Sequence, residues 1–323
     1  MIRLFSNADY DFISHRKQAF GVTFALLAIG LVSLLTRGVH QSIEFTGGTL
    51  VQFTTTAPIE VEKLRAGLDA AGIKGAEIQR FGAENEYVVR ARTAAEGTDA
   101  DDTQATASRV NAAIAAVAGE GNFTPGSGEA VSPKVGGELK SQALYAILLS
   151  FLAVLAYLAY RFEWRFGLAA VIATAHDILL TVCFIAIMRI ELSLVVVAAV
   201  LSMVGYSLND TIIIFDRVRE NLHKYRRSEL VPVLNRSINE TLPRSVLTHA
   251  TTLVTLLALA IFAGDVIRPF ALVMFFGVFT GTFSSIWIAA PVLMMIEQRW
   301  PGVDGRGVKV KGGIVQPRDH APV

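Results

Sequence analysis

Asp210 sits in the run Gly205-Tyr-Ser-Leu-Asn-Asp-Thr211, with an apolar stretch at 192–205 before it and Ile212-Ile-Ile-Phe215 after it. An unpaired charge near the centre of a bilayer costs at least about 2.5–3.5 kcal/mol on insertion scales. Two more ionisable residues, Asp177 and Arg244, occur in similarly apolar surroundings. Burial favours the neutral acid, and a nearby arginine favours the carboxylate. A carboxyl balanced between these pulls takes up and releases a proton as its neighbours move. Each elementary charge crossing 100 mV supplies about 2.3 kcal/mol, enough to bias a conformational equilibrium. The chemistry this points to is proton coupling.

The spacing around these residues suggests a polar seam. Ser202, Tyr206, Asn209 and Asp210 recur at helical spacing on one run, and Arg244, Thr248, Thr251, Thr252 and Thr255 do so on the next. Asp216 marks the rim of the first run, so Asp210 lies about 9 Å of helix inside it. Asp177, with Thr174 and Thr181, makes a third, shorter stripe. The competing reading is static: an ion pair or hydrogen-bonded carboxyl that fixes helix positions. For Asp177, His176 and the two threonines would satisfy the carboxyl locally. His249 reads as a packed histidine rather than a relay. Gly277, Gly281 and Ser285, at four-residue intervals, read as a close-packing face.

The elements that must hold these residues are membrane helices. Apolar runs at about 19–36, 143–160, 166–188, 192–215, 246–263 and 270–296 are each long enough to cross a hydrocarbon core of about 30 Å. They lack the two-residue alternation of barrel strands. Six transmembrane helices follow, in a chain of 323 residues that is 52% hydrophobic. The first run exceeds a signal-peptide core and ends at Arg37 without a small-x-small site, so it reads as a retained anchor. Lys and Arg concentrate in residues 1–18, in the 161–165 turn, in a basic loop at about 216–243 and in a tail at 299–323. Both termini are therefore expected in the cytoplasm. The tail is Gly/Pro-rich and reads as disordered. The lone Cys183 falls inside a span, and the net charge of +1 gives no sign of a nucleic-acid partner.

Residues 38–140 have the composition of an exported soluble domain. A strand at 50–55 is followed by a helix opened by Pro58, with Val61, Leu64, Leu68 and Ala71 on one face and Gly72 as its stop. Strands at 76–81 and 86–92 form a pair. Asp101 or Asp102 caps a second helix that aligns Ala107, Val110, Ile114 and Val117, and 123–131 is a last strand broken by Pro-Gly-Ser-Gly. The order βαββαβ is ferredoxin-like. Neither a catalytic grouping nor a metal-ligand spacing nor a phosphate loop is present, so a docking module is expected, with no enzyme activity and no cofactor. Gly47-Gly48, at its entrance, reads either as a tight turn or as a hinge.

Several stretches resemble the SecF family, the smaller membrane subunits of the bacterial SecDF protein-export complex, in the resistance-nodulation-division superfamily. They are Ile43-Glu-Phe-Thr-Gly-Gly48, Ser132-Pro-Lys-Val-Gly136, Tyr160-Arg-Phe-Glu-Trp-Arg-Phe166, Ala175-His-Asp177, Gly205-Tyr-Ser-Leu-Asn-Asp-Thr211, Phe215-Asp-Arg-Val-Arg-Glu-Asn221, Ile238-Asn-Glu-Thr-Leu-Pro-Arg-Ser245 and Gly281-Thr-Phe-Ser-Ser285. The resemblance implies a bacterial inner-membrane subunit, embedded in membrane lipids, that pairs with SecD and associates with the SecYEG translocon and YajC. It would use the proton motive force to draw preprotein substrates out on the exported side. It implies that Asp210 and Arg244 form the proton-responsive pair and that Gly47-Gly48 is the root of a moving domain. Two departures stand out. Glu44 replaces the usual aspartate, and Pro243 precedes Arg244 where a serine is common, which would start the fifth span sharply there. A second reading is a proton-coupled exporter of small molecules or lipids from the same superfamily. A third is a non-transporting scaffold.

Overall fold

The computed structural model describes residues 8–73, 76–80, 83–91, 100–119, 121–131, 133–225, 228–264 and 267–301. Six helices among them are long and apolar enough to cross a membrane. In chain order the helices are α1 (Arg16–Arg37), the one-turn α2 (Ile43–Thr46), α3 (Val61–Ala70), α4 (Ala100–Ala118), α5 (Pro133–Arg161), α6 (Trp164–Met188), α7 (Leu194–Lys224), α8 (Leu230–Phe262), α9 (Arg268–Ser284) and α10 (Ala290–Arg299). The strands are β1 (Gly48–Thr55), β2 (Glu77–Arg80), β3 (Glu86–Ala91) and β4 (Phe123–Val131). The sixth span is not one continuous α-helix. A π-helical turn at Ser285–Ala289 joins α9 to α10.

The domain between the first two spans has the expected topology. Its sheet runs β2-β3-β1-β4 with every pair antiparallel, and α3 and α4 cover one face. Alternation along β1 and β3 turns Val51, Phe53, Tyr87, Val89 and Ala91 onto Leu64, Leu68, Val110 and Ile114. Some boundaries shift. Pro58 lies ahead of α3, which starts at Val61 after the extended Glu60, and α4 opens at Ala100, one residue before the aspartates expected to cap it. The Pro-Gly-Ser-Gly stretch does not break β4. The strand absorbs it as a register shift opposite β1, where Gly126 lies against the Gln52 backbone.

The membrane helices also differ from the expected bounds. α5 begins at Pro133, so the second span enters the domain assigned to 38–140. The basic region at 216–243 is not a loop: α7 continues to Lys224 and α8 begins at Leu230. These extensions bury Phe215, Val218, Leu234 and Ile238 in one apolar cluster, and their charges interlock. Arg217 bonds Glu240 at 2.7 Å, Arg236 bonds Glu240 at 3.0 Å, and Asn221 donates to the same carboxylate at 2.8 Å. Burial plus paired charge keeps both helices wound beyond the apolar run. Pro243 therefore lies inside α8 rather than at its start, and Arg244 sits mid-helix.

Residues 8–15 are built onto α8. Asn239 exchanges hydrogen bonds with the Tyr10 backbone, and Asn235 accepts from Ile13 N and donates to the Asp11 carboxyl. Of the tail at 299–323, residues from 302 onward lie outside the described residues. Across the bundle, α6, α7 and α9 form the interior, and α1, α5 and α8 lie at the periphery with much apolar surface exposed. Gly30 lets α1 approach α6, since a Cβ there would stand 2.2 Å from that of Cys183.

Candidate functional site

One turn of α7 organises the buried polar residues. Ser207, Asp210 and Thr211 all lie within about 6 Å of helix rise, and each faces a different neighbour. Ser207 turns to α6 and α9. Thr211 bonds Ser285 at 3.0 Å, in the π-helical turn of the sixth span. Asp210 turns to α8. The close approach that brings α9 to this turn comes from the glycines at four-residue spacing. A Cβ on Gly277 would meet Met203 at 2.1 Å, and one on Gly281 would meet Ser207 at 2.8 Å. The face read as packing is packing, and it positions the site.

Asp177, 1% exposed, is fully engaged. Its Oδ1 contacts His176 Nδ1 at 2.9 Å, and its Oδ2 accepts from Ser207 Oγ at 2.5 Å and from Ser284 Oγ at 2.7 Å. The two threonines expected to satisfy it do not. Thr174 and Thr181 instead bond backbone carbonyls one turn back, Thr181 to that of Asp177 itself. The serines that replace them come from α7 and α9, so Asp177 ties three helices together.

Asp210, 3% exposed, is held more loosely. The structure does not join it to Arg244 in an ion pair. Arg244 is exposed on the outer face of α8 and acts on the carboxyl only through its charge, whereas the Ser245 side chain acts on it as a hydrogen-bond donor. The near neighbour is His249, whose Nδ1 lies 3.5 Å from Asp210 Oδ2. His249 is also buried. Its Nδ1 contacts Ser245 O at 2.7 Å, its ring meets Tyr206 edge-on at 5.3 Å, and its Nε2 has no hydrogen-bond partner among the described residues.

The supporting seam divides. Tyr206 is half-buried and its hydroxyl bridges to α8, donating to Thr248 O at 3.0 Å and meeting Thr252 Oγ1 at 2.7 Å. Ser202 and Asn209 are exposed, as are Thr248, Thr251 and Thr255, whose hydroxyls bond carbonyls of α8 itself. The spacing was helical, but a helix has more than one face. Asn209 points away from the site its neighbour Asp210 occupies. Sequence reasoning missed Ser207 and Ser284 and set His249 aside. The signal for Ser207 was available, three residues before Asp210 and therefore on an adjoining face.

Gly47 and Gly48 have φ of 72° and 139°, which other residues rarely adopt. The turn lies against Gly136 of α5, where a Cβ would stand 2.9 Å from Gly47 N. Just before it, Glu44 accepts from Leu194 N at 2.5 Å, so its carboxylate sits on the N-terminus of α7. Ser42 N donates to Leu192 O, and Arg90 on β3 pairs with Glu191. The domain root is thus fastened to the start of the helix that carries Asp210.

Among the described residues there is no grouping of His, Cys, Asp or Glu suited to a metal ion. Two family models match the chain: "Protein export membrane protein SecD/SecF, C-terminal" over residues 110–299, and "SecD/SecF GG Motif" over residues 32–59. A protein translocase subunit SecF from Gemmatimonas aurantiaca is 54% identical over 308 residues, covering 94% of this chain and 92% of that one. Another, from Desulfurispirillum indicum, is 40% identical over 292 residues, covering 90% and 92%. The crystal structure of SecDF from Thermus thermophilus, a translocon-associated membrane protein, superposes with a TM-score of 0.80 at 33% identity. It covers 93% of this chain, which spans only 40% of that longer one. With six membrane helices, a Gly-Gly turn and a split βαββαβ domain in the same order, this chain is a multi-pass inner-membrane protein of the Sec export pathway and belongs to the SecF family.

Proposed function

We propose that this chain is the proton-responsive half of a protein-export device. Paired with SecD at the SecYEG channel, with YajC and the emerging preprotein as further partners, it converts the proton motive force into movement of its exported domain. It works as a transport subunit rather than an enzyme, with both termini in the cytoplasm. The observation that carries this reading is Asp210: a buried carboxyl with a titratable neighbour, His249, at 3.5 Å. Protonation there changes the charge of a low-dielectric layer in which α7, α8 and α9 meet, and packed helices respond to such a change by shifting between discrete arrangements.

The path to the domain is short. α7 runs about 24 Å from Asp210 to Leu194, where Glu44 and the Gly47-Gly48 turn begin. A shift of α7 therefore pulls on the domain root, which makes that turn the hinge. The exposed Arg244, with Thr248 one turn along α8, presents polar groups at membrane depth. Lipid satisfies such groups poorly, so that face suits a polar partner helix such as SecD would supply. A second solved SecDF chain, in a super-membrane-facing form, superposes less closely, with a TM-score of 0.65 at the same 33% identity, which supports alternation between arrangements.

The test is Asp210→Asn in the complete assembly, reconstituted in vesicles with a preprotein. The expected result is normal assembly with loss of the gradient-dependent part of export. Gradient-dependent export at the wild-type rate would overturn the reading. An exporter of small molecules would instead leave preprotein movement untouched by any substitution here.

A further inference from the structure

We propose that His249 is the group through which Asp210 gains and loses its proton. This rests on the proposed proton coupling at Asp210 and adds the residue that exchanges with it.

The ring's two nitrogens have different surroundings. Nδ1 faces Ser245 O at 2.7 Å and Asp210 Oδ2 at 3.5 Å. A carbonyl only accepts, so the neutral ring carries its proton on Nδ1 and leaves Nε2 as a bare acceptor. Nε2 is buried and unpartnered among the described residues. An orphaned buried acceptor is unfavourable, and a proton or a water arriving there relieves the cost. The transfer then balances without any other reactant. A proton binds Nε2 and forms the imidazolium. The proton on Nδ1 passes to Asp210 Oδ2. The ring is left neutral as its other tautomer, and the carboxyl is uncharged. Reversal of these steps discharges Asp210.

Among the described residues, no other titratable group is placed as near to Asp210. On α7 the facing titratable groups are Asp210 and Tyr206, and the Tyr206 hydroxyl is already engaged with Thr248 and Thr252. On α8 there is Arg244, on the outer face. α9 has Arg268 alone, bonded to Ala260 O. α10 contributes Glu297, paired with Arg165, and Arg299, and the turn at Ile13–His15 contributes His15, held by Asp11 O. His176 and Asp177 on α6 are bonded to each other.

The experiment uses the complete assembly in vesicles, with His249→Asn compared against wild type and Asp210→Asn. Asparagine keeps a donor near the Ser245 carbonyl and cannot titrate. We expect gradient-driven preprotein movement to fall about 100-fold, the scale of a lost proton-transfer group, and its pH profile to lose one inflection. In infrared difference spectra, the titration of the Asp210 carboxyl band, identified by its absence in Asp210→Asn, should move relative to wild type. Wild-type rate, profile and band in His249→Asn, with Asp210→Asn inactive, would overturn the role of His249 and leave that of Asp210 standing. An active Asp210→Asn would overturn both. If His249→Asn does not assemble, labelled histidine in the wild type decides: an imidazole at position 249 that keeps one protonation state while the Asp210 band titrates refutes the proposal.

Discussion

Two buried aspartates occupy the same bundle and meet opposite fates. Asp177 accepts from two serines on two other helices and has an imidazole at its second oxygen, whereas Asp210 has an imidazole at 3.5 Å, the Ser245 side chain and the charge of a more distant guanidinium. Both are almost completely buried. The first is saturated, so a change in its protonation would break bonds among three helices at once. The second is under-coordinated, so its protonation can change without dismantling its surroundings. What separates a structural carboxyl from a working one here is the number of donors that reach it, and neither depth nor residue type distinguishes them.

That contrast is broken or sharpened by substitution, starting with the largest effect. Asp210→Asn should remove gradient-driven export while leaving the melting temperature of the purified assembly nearly unchanged. Asp177→Ala should do the reverse. It strands the Ser207 hydroxyl at about 1–3 kcal/mol, while Ser284 falls back on Gly281 O at 3.2 Å, and the loss is read as a lower melting temperature. Its residual activity should keep the wild-type pH profile. If Asp177→Ala alters that profile instead, the two carboxyls share one function and the comparison fails.

Gly281→Leu comes next, because it forces a side chain into Ser207. A loss of about 1–3 kcal/mol is expected, with the Asp177 carboxyl band perturbed more than that of Asp210. Glu44→Gln removes the charge from the N-terminus of α7 and should cost about 0.3–1 kcal/mol, with slower export from a looser domain root.

The smallest effect belongs to Asp11. The Asn235 amide, and then Ser14, hold its carboxyl below the usual carboxylate range. Its contribution to stability is therefore complete above the unfolded value of about 3.9 and is lost as pH falls through the lowered native value. Asp11→Asn should lower the melting temperature slightly at neutral pH and flatten the acid limb of the profile, so that variant and wild type converge below about pH 4.

Much of the fold could be read from the chain. Apolar runs of spanning length located all six membrane helices, and period-two alternation with Gly punctuation gave the βαββαβ order. Hydropathy failed at the helix ends. It marks where lipid begins, whereas α7 and α8 continue on charge pairs such as Arg217 with Glu240 and on buried Phe215 and Leu234, neither of which a hydropathy window registers. Pro243 misled in the same way. A helix-start signal at that position was overridden because packing on both sides of it keeps α8 continuous.

The linear order of residues determined that Asp210 would be buried and costly, since the neighbours that bury it are its own flanking apolar runs. It also determined the glycine positions that permit close approach. Tertiary structure alone decided the partners. Whether Arg244 or His249 reaches Asp210, and whether threonines or serines satisfy Asp177, depends on how each helix is rotated about its axis. That rotation is set by packing against other helices, such as Gly277 and Gly281 of α9 against Met203 and Ser207 of α7, and no local pattern encodes it.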